Sequence, residues 1–65
     1  MERKFTLRQW RKVADMSIAE LAKEVGKSDK TIQNWEQGIT QPNATDIAKL
    51  EQVLNINWSS DILLP

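Results

Sequence analysis

A short run of polar residues between positions 28 and 34 carries the side chains best suited to specific recognition in this sequence. It offers hydroxyl, carboxylate, ammonium and amide groups, on Ser28, Asp29, Lys30, Thr31, Gln33 and Asn34. On one face of a short helix, amide and ammonium groups can hydrogen-bond the base edges exposed in the major groove of DNA. The polar run therefore predicts recognition of a nucleic acid.

The residues that most enzymes and metal sites use are missing from the composition. The 65 residues include no His and no Cys, which removes thiolate or imidazole zinc sites, cysteine nucleophiles and disulfides. A chain of this length buries only about 60% of its unfolded surface, enough for one thin core but not for a deep pocket. We therefore expect a single domain over residues 1–65, without enzyme activity, cofactor or metal.

The formal net charge is zero at pH 7, but the charges are unevenly placed. Residues 1–12 hold five Lys and Arg against one Glu, whereas residues 31–65 hold one Lys against four acidic residues. Such asymmetry indicates either one anion-facing surface or a solvated basic end. Tight DNA binding would require the basic side chains to cluster on one side, namely Arg3, Lys4, Arg8, Arg11, Lys12, Lys27 and Lys30.

No apolar run approaches the roughly 18 residues that a membrane span needs. The first twelve residues, MERKFTLRQWRK, also lack the apolar stretch of a signal peptide. We therefore expect a cytoplasmic protein without a membrane partner, and DNA binding would associate it with the bacterial nucleoid.

Helix signals follow one another along the whole chain. N-cap residues open four segments, at Thr6, Ser17, Ser28 and Asn43, and Thr6 and Ser17 form capping boxes with Gln9 and Glu20. Gly26 and Gly38 supply left-handed stops. With the apolar periodicity, these signals predict helices over about 6–15, 18–25, 29–37, 44–54 and 58–63. The expected fold is all-α, a compact bundle of four to five helices.

The apolar residues of each segment predict its buried face. The first helix has a stripe of Leu7, Trp10, Val13 and Ala14, and the second one of Ile18, Leu21, Ala22 and Val25. Trp10 and Trp35 lie on such stripes, which favours core packing over base stacking. Between the second and third helices, Gly26-Lys27-Ser28 is short enough to force a steep crossing, with Ala22 at the close approach and Ile32 as the inward anchor. This arrangement predicts a central helix-turn-helix.

The stretch SIAELAKEVGKSDKTIQNWEQGITQPNATDIAKL resembles the helix-turn-helix domains of lambda-type phage repressors and Cro proteins, the Cro/CI or Xre-like family. The shared features are E-L-A, the turn Gly, a Ser before the third helix, T-I-x-x-W-E-x-G and a Pro four residues later. The resemblance covers about residues 7–58. It implies a bundle of the lambda-repressor-like type that binds a double-stranded DNA operator.

The base-reading positions of that family fall on Ser28, Asp29, Lys30 and Asn34, and Gln33 lies close enough to contribute. Lys30 would suit guanine O6 and N7, and Asn34 would suit adenine N6 and N7. Asp29 could accept only from a donor such as cytosine N4, so we favour a structural role for it at the positive end of the helix dipole.

The phosphate contacts implied by the resemblance come from the start of the second helix, the end of the third and the loop that follows. We expect them at Ile18, Gln37, Thr40, Gln41 and Asn43, and we add Arg11, Lys27 and Thr31 as further phosphate contacts. Many relatives have Gln where this chain has Ile18, so only the backbone N–H can act there. Family members also pair an Arg late in the first helix with a Glu near the end of the third, and Arg11 and Glu36 stand at those positions. This pair would stabilise the fold, bring Arg11 near a phosphate, or do both.

The C-terminal residues have two readings. The family forms its two-fold dimer contact in this region, which predicts Trp58, Ile62 and Leu63 at a homodimer interface. The same side chains could instead complete the core of the monomer. A dimer would place its recognition helices about 34 Å apart on a pseudo-palindromic operator.

These observations predict a transcription regulator, encoded by a phage or mobile element, that represses by occupying an operator. If residues 1–65 are the whole protein, Cro is the closer match, whereas an excised domain would leave a longer repressor open. The alternative is a protein-interaction module such as an antitoxin or adaptor, for which the acidic C-terminal half would suit a basic partner.

Overall fold

The computed structural model describes residues 4–64. They form five helices: α1 Leu7–Val13, α2 Ile18–Val25, α3 Asp29–Gln37, α4 Ala44–Leu54 and α5 Trp58–Asp61. Within this range the only β pairing is an isolated bridge between Phe5 and Ile62. The all-α class is therefore confirmed. Arg3, which was expected to join a basic cluster, lies outside the described residues, as does Pro65.

The first four helices begin at the predicted capping residues. Thr6 Oγ1 accepts a hydrogen bond from Gln9 N (3.2 Å), and Gln9 Oε1 accepts one from Thr6 N (2.8 Å). Ser17 and Glu20 repeat this reciprocal pattern at the start of α2. Both predicted capping boxes are thus confirmed, and they satisfy backbone donors that the first helical turn leaves free.

Two helices end earlier than the sequence predicted. α1 stops at Val13 because Asp15 adopts a left-handed φ of 57° and Met16 N donates back to Arg11 O at 3.1 Å. This terminal hydrogen bond is the one that closes a Schellman motif. α5 stops at Asp61 because Ile62 is extended and pairs with Phe5. The predicted ends at 15 and 63 are therefore wrong by two residues each.

The core draws on the first four helices. Its buried members are Leu7, Leu21, Ala22, Val25, Ile32, Trp35, Leu50 and Leu54. Val13 was predicted on the buried stripe of α1, but 63% of it is exposed, and Ala14 is exposed as well. The inner face of α1 instead carries Leu7 and Arg11, one helical turn apart, and the chain turns away before another turn can form.

The packing of α2 against α3 follows the predicted helix-turn-helix. Ala22 and Val25 are buried on α2, and Ile32 and Trp35 are buried on α3. Gly26 connects the two helices with a left-handed φ of 71°, a conformation that a residue with a Cβ adopts only at a cost. Burial of Ile32 and Trp35 fixes which side of α3 faces outward.

The two ends of the described chain are joined by contacts that the sequence did not predict. Asp61 O accepts hydrogen bonds from Phe5 N (3.1 Å) and from Trp10 Nε1 (2.8 Å), and Leu63 N donates to Phe5 O (2.8 Å). The Phe5 and Trp10 rings also pack with their centroids 4.9 Å apart. We call this group, Phe5, Trp10, Asp61, Ile62 and Leu63, the terminal clasp.

Candidate nucleic-acid interface

The outward side of α3 presents most of the predicted base-reading residues. Helical periodicity places Lys30, Gln33 and Asn34 on the side opposite Ile32 and Trp35. Lys30 is exposed, whereas Gln33 and Asn34 are half-buried with part of each side chain at the surface. The face therefore combines an ammonium group with two amides and has no apolar side chain at its centre.

The first turn of α3 uses part of its polar character internally. Ser28 Oγ accepts from Thr31 N (3.2 Å) and lies 3.0 Å from Thr31 Oγ1, so the hydroxyl that was predicted to read a base also caps the helix. Asp29 is exposed in the first turn, where the helix dipole favours a carboxylate. Its structural role stays a prediction.

The last residue of α3 and the loop after it hold four of the predicted phosphate contacts. Gln37, Thr40, Gln41 and Asn43 are all exposed. The loop begins at Gly38, which has a left-handed φ of 77° and ends α3, and it closes at Asn43, whose Oδ1 caps α4 by accepting from Asp46 N at 2.8 Å. Two helix ends therefore flank the segment that carries Thr40 and Gln41.

Arg11 is held tightly inside the molecule. Its Nε donates to Glu36 Oε2 at 2.7 Å and its Nη1 donates to Met16 O at 2.8 Å, and only 8% of the residue is exposed. The predicted pair of Arg11 with Glu36 is present and joins α1 to α3. Its predicted phosphate contact remains a prediction.

A concave surface brings together residues from α1, α2 and α3. It is lined by Arg8, Arg11, Ile18, Gln33, Glu36 and Gln37. Ile18 is half-buried against the core at the start of α2, which explains an apolar residue at this position. Arg8 is exposed here and was not among the predicted contacts, although it was named among the charges needed on the DNA side. The sequence gave no indication that Arg8 lies near residues of α2 and α3.

The start of α2 carries the negative charge of an exposed carboxylate, that of Glu20. Ser17 N donates to Glu20 Oε1 at 3.0 Å, and this backbone hydrogen bond, together with the Ser17 side chain, lowers the pKa of the Glu20 carboxyl below its ordinary value of 4.5. The ionised carboxylate thus lies beside the predicted anion contact at Ile18 N. Any phosphate approaching this end of α2 would meet Glu20.

Lys27 has a partner that the sequence reading missed. Its Nζ lies 3.3 Å from Asp46 Oδ1, so the ammonium predicted to contact phosphate is paired within the protein. Nothing in the sequence spacing of Lys27 and Asp46 indicated their contact.

The predicted dimer residues divide into two kinds. Trp58 and Ile62 are half-buried and pack against the core, whereas Leu63 is 49% exposed and Leu64 59% exposed. Beside them a shallow groove is lined by Leu7, Trp35, Gln41, Pro42, Trp58, Ile62, Leu63 and Leu64. The region therefore completes the monomer core and also leaves apolar surface at its outer edge.

Two further searches bear on the chemistry of residues 4–64. They contain no group of three or more His, Cys, Asp or Glu placed to hold a metal ion. Over the same range, the helices are all too short or too polar to cross a membrane.

Comparison with protein-family models places most of the chain in a known family. A family model described as "Helix-turn-helix" matches residues 7–59, most of the chain. The match spans α1 to α4 and the start of α5, including the turn between α2 and α3. Neither a curated relative nor a solved structure matches.

Proposed function

Because the chain belongs to the Cro/CI-type helix-turn-helix family of DNA-binding regulators, we propose that it is a repressor that reads a specific operator with α3. In this proposal Lys30, Gln33 and Asn34 read base edges, with Ser28 and Asp29 at the helix start. Thr31, Gln37, Thr40, Gln41 and Asn43, with Arg11 and the backbone of Ile18, contact phosphates.

The observation that carries the proposal is the composition and position of the outward face of α3. Ile32 and Trp35 anchor the opposite side in the core, so Lys30, Gln33 and Asn34 are held on a rigid helix rather than on a loop. The exposed residues of the following loop continue the same polar surface. A helix presented in this way suits insertion into the major groove while its flanks contact the backbone.

We further propose that two copies bind a pseudo-palindromic operator in the bacterial cytoplasm. Leu63, with the accessible parts of Trp58 and Ile62, would form the two-fold contact. The exposure of Leu63 and Leu64 beside the groove at Pro42 supports this role, because neighbouring exposed apolar side chains favour association. A phage or other mobile element is the expected source of such a regulator.

Selection from a random duplex pool at physiological salt tests the proposal directly. We expect enrichment of an inverted repeat with half-sites about one helical turn apart. Lys30→Ala and Asn34→Ala should each relax the preference at one or two base positions, at a cost of about 1–3 kcal/mol against the selected site.

Lys49→Ala is the matched control for Lys30→Ala, because Lys49 is also an exposed lysine but lies on α4. It should leave the selected sequence unchanged. If the pool yields no enriched sequence and only weak, salt-sensitive retention, the repressor proposal is wrong. A protein-interaction module would then be the better reading. If enrichment occurs but neither Lys30→Ala nor Asn34→Ala alters it, the assignment of α3 as the reading element fails.

A further inference from the structure

In the ion pair between Lys27 and Asp46, the Asp46 side chain is buried and the Lys27 side chain is partly exposed. The side chain of Asp46 is 8% exposed and that of Lys27 is 35% exposed, with 3.3 Å between Nζ and Oδ1. A carboxylate buried to this extent is costly unless hydrogen bonds or an opposite charge compensate it. The Lys27 ammonium therefore offsets part of the cost of burying the Asp46 carboxylate.

Asp46 also holds the segment that precedes α4. Its Oδ2 accepts from Asn43 N at 3.4 Å, and its own N–H donates to Asn43 Oδ1 at 2.8 Å. One carboxylate thus connects Lys27, in the turn before α3, with Asn43, at the end of the loop after α3. These two connections bracket α3 and residues 38–43.

We propose that Lys27 is a positioning residue of the DNA interface, which acts through Asp46 and does not itself bind phosphate. The pair fixes the loop that carries Thr40 and Gln41 relative to the first turn of α3. The backbone of Lys27 strengthens the connection, since Lys27 N donates to Ala22 O (2.9 Å) at the end of α2. The role in DNA binding rests on the proposed function, whereas the positioning itself belongs to the free protein.

The free protein provides the first test. Lys27→Met removes the charge but keeps an unbranched side chain, and Asp46→Asn removes the opposite charge but keeps oxygen and nitrogen atoms at the cap. Both variants should shift the backbone amide resonances of Thr40 and Gln41 in a nitrogen–proton correlation spectrum. Lys23→Met is the control, because Lys23 is exposed in the last turn of α2 and undergoes the same charge change. If the amides of the loop do not move in Lys27→Met, the proposal is overturned.

The second test uses the selected operator. Relative to Lys23→Met, Lys27→Met should weaken binding by roughly three- to fivefold, as expected for a partly exposed ion pair. Combining Lys27→Met with Asp46→Asn should add little further loss, because the two changes break one interaction. The slope of log K against log salt should be the same in Lys27→Met and Lys23→Met.

A direct phosphate contact would give a different result. Loss of one such contact lowers the magnitude of the salt slope by about 0.9, and that outcome in Lys27→Met overturns the positioning role. If the unmodified protein binds no duplex specifically, the proposed function fails. The amide shifts of Thr40 and Gln41 still decide whether Lys27 positions the loop.

Discussion

Helix α1 is attached to the rest of the molecule on two sides, and the two attachments use different interactions. Toward α3, Arg11 makes a buried ion pair with Glu36 and a hydrogen bond to Met16 O. Toward the C-terminal residues, the terminal clasp relies on backbone groups, an indole N–H and ring packing. The first attachment concentrates charge in few atoms, whereas the second spreads neutral contacts over the two ends of the described chain. The two should therefore differ in how much a single substitution costs.

The largest effect is expected from breaking the charged attachment. Arg11→Met leaves the Glu36 carboxylate without its partner in a position where 8% of the side chain is exposed. Removing one member of a buried ion pair typically costs 3–5 kcal/mol, because the remaining charge is uncompensated. We expect a loss of about 3 kcal/mol in the free energy of unfolding, measured by urea denaturation followed by tryptophan fluorescence.

The double variant Arg11→Met with Glu36→Leu separates charge from packing. It removes the stranded carboxylate and should recover much of the lost stability. If Arg11→Met is as stable as the wild type, the buried ion pair of Arg11 with Glu36 does not stabilise the fold. If the double variant is no more stable than Arg11→Met alone, the hydrogen bond to Met16 O and the packing of the Arg11 stem, rather than the ion pair, attach α1.

A smaller effect is expected from weakening the clasp. Trp10→Phe removes the indole donor to Asp61 O, but that carbonyl keeps its hydrogen bond from Phe5 N. Because no group is left without a partner, the loss should be that of one hydrogen bond, about 1 kcal/mol. Trp58→Phe is the matched control in the same urea titration, since it makes the same replacement of a half-buried indole by a phenyl ring outside the clasp. Equal losses in the two variants would show that ring area, not the clasp hydrogen bond, accounts for the cost.

The two attachments also differ in how far the sequence predicted them. The capping residues Thr6, Ser17 and Ser28 and the turn glycines were identified because each acts on backbone groups a few residues away. The pair of Arg11 with Glu36 was anticipated only through the family resemblance. The clasp was not predicted, because Trp10 and Asp61 are 51 residues apart and the acceptor is a backbone carbonyl that every residue has.

The candidate interface was predicted to a similar extent. Lys30, Gln33 and Asn34 were identified from their spacing on one helix, and the structure places them opposite the buried Ile32 and Trp35. The partner of Lys27 was missed, because its contact with Asp46 depends on how α4 packs beside the turn. The exposure of Val13 was missed for a related reason. The left-handed Asp15 ends α1 before its apolar stripe can continue, and residues other than Gly are uncommon in that conformation.

The smallest effect on stability is expected from the capping boxes that open α1 and α2. The two boxes have the same geometry, but α1 uses the neutral Gln9 and α2 uses the ionisable Glu20. Folding lowers the pKa of Glu20 below 4.5, chiefly through the hydrogen bond from Ser17 N. Its contribution to stability is therefore present above the unfolded pKa and is lost as the pH falls through the lower, folded pKa. Glu20→Gln should lower the melting temperature slightly at pH 7, and the difference from the wild type should disappear at a pH below the folded pKa.

Gln9→Glu is the reciprocal change and should introduce the same pH dependence at α1. If the wild type and Glu20→Gln differ equally at both pH values, the ionised carboxylate is not what stabilises the start of α2.

Comparing the wild type with Glu20→Gln also measures how the charge beside Ile18 N affects DNA binding, because a phosphate is expected to approach that N–H. Removing the Glu20 charge should strengthen operator binding at low salt, and this gain should shrink as salt screens the carboxylate. A gain that does not depend on salt would mean that Glu20 affects binding through the shape of the helix end rather than through its charge.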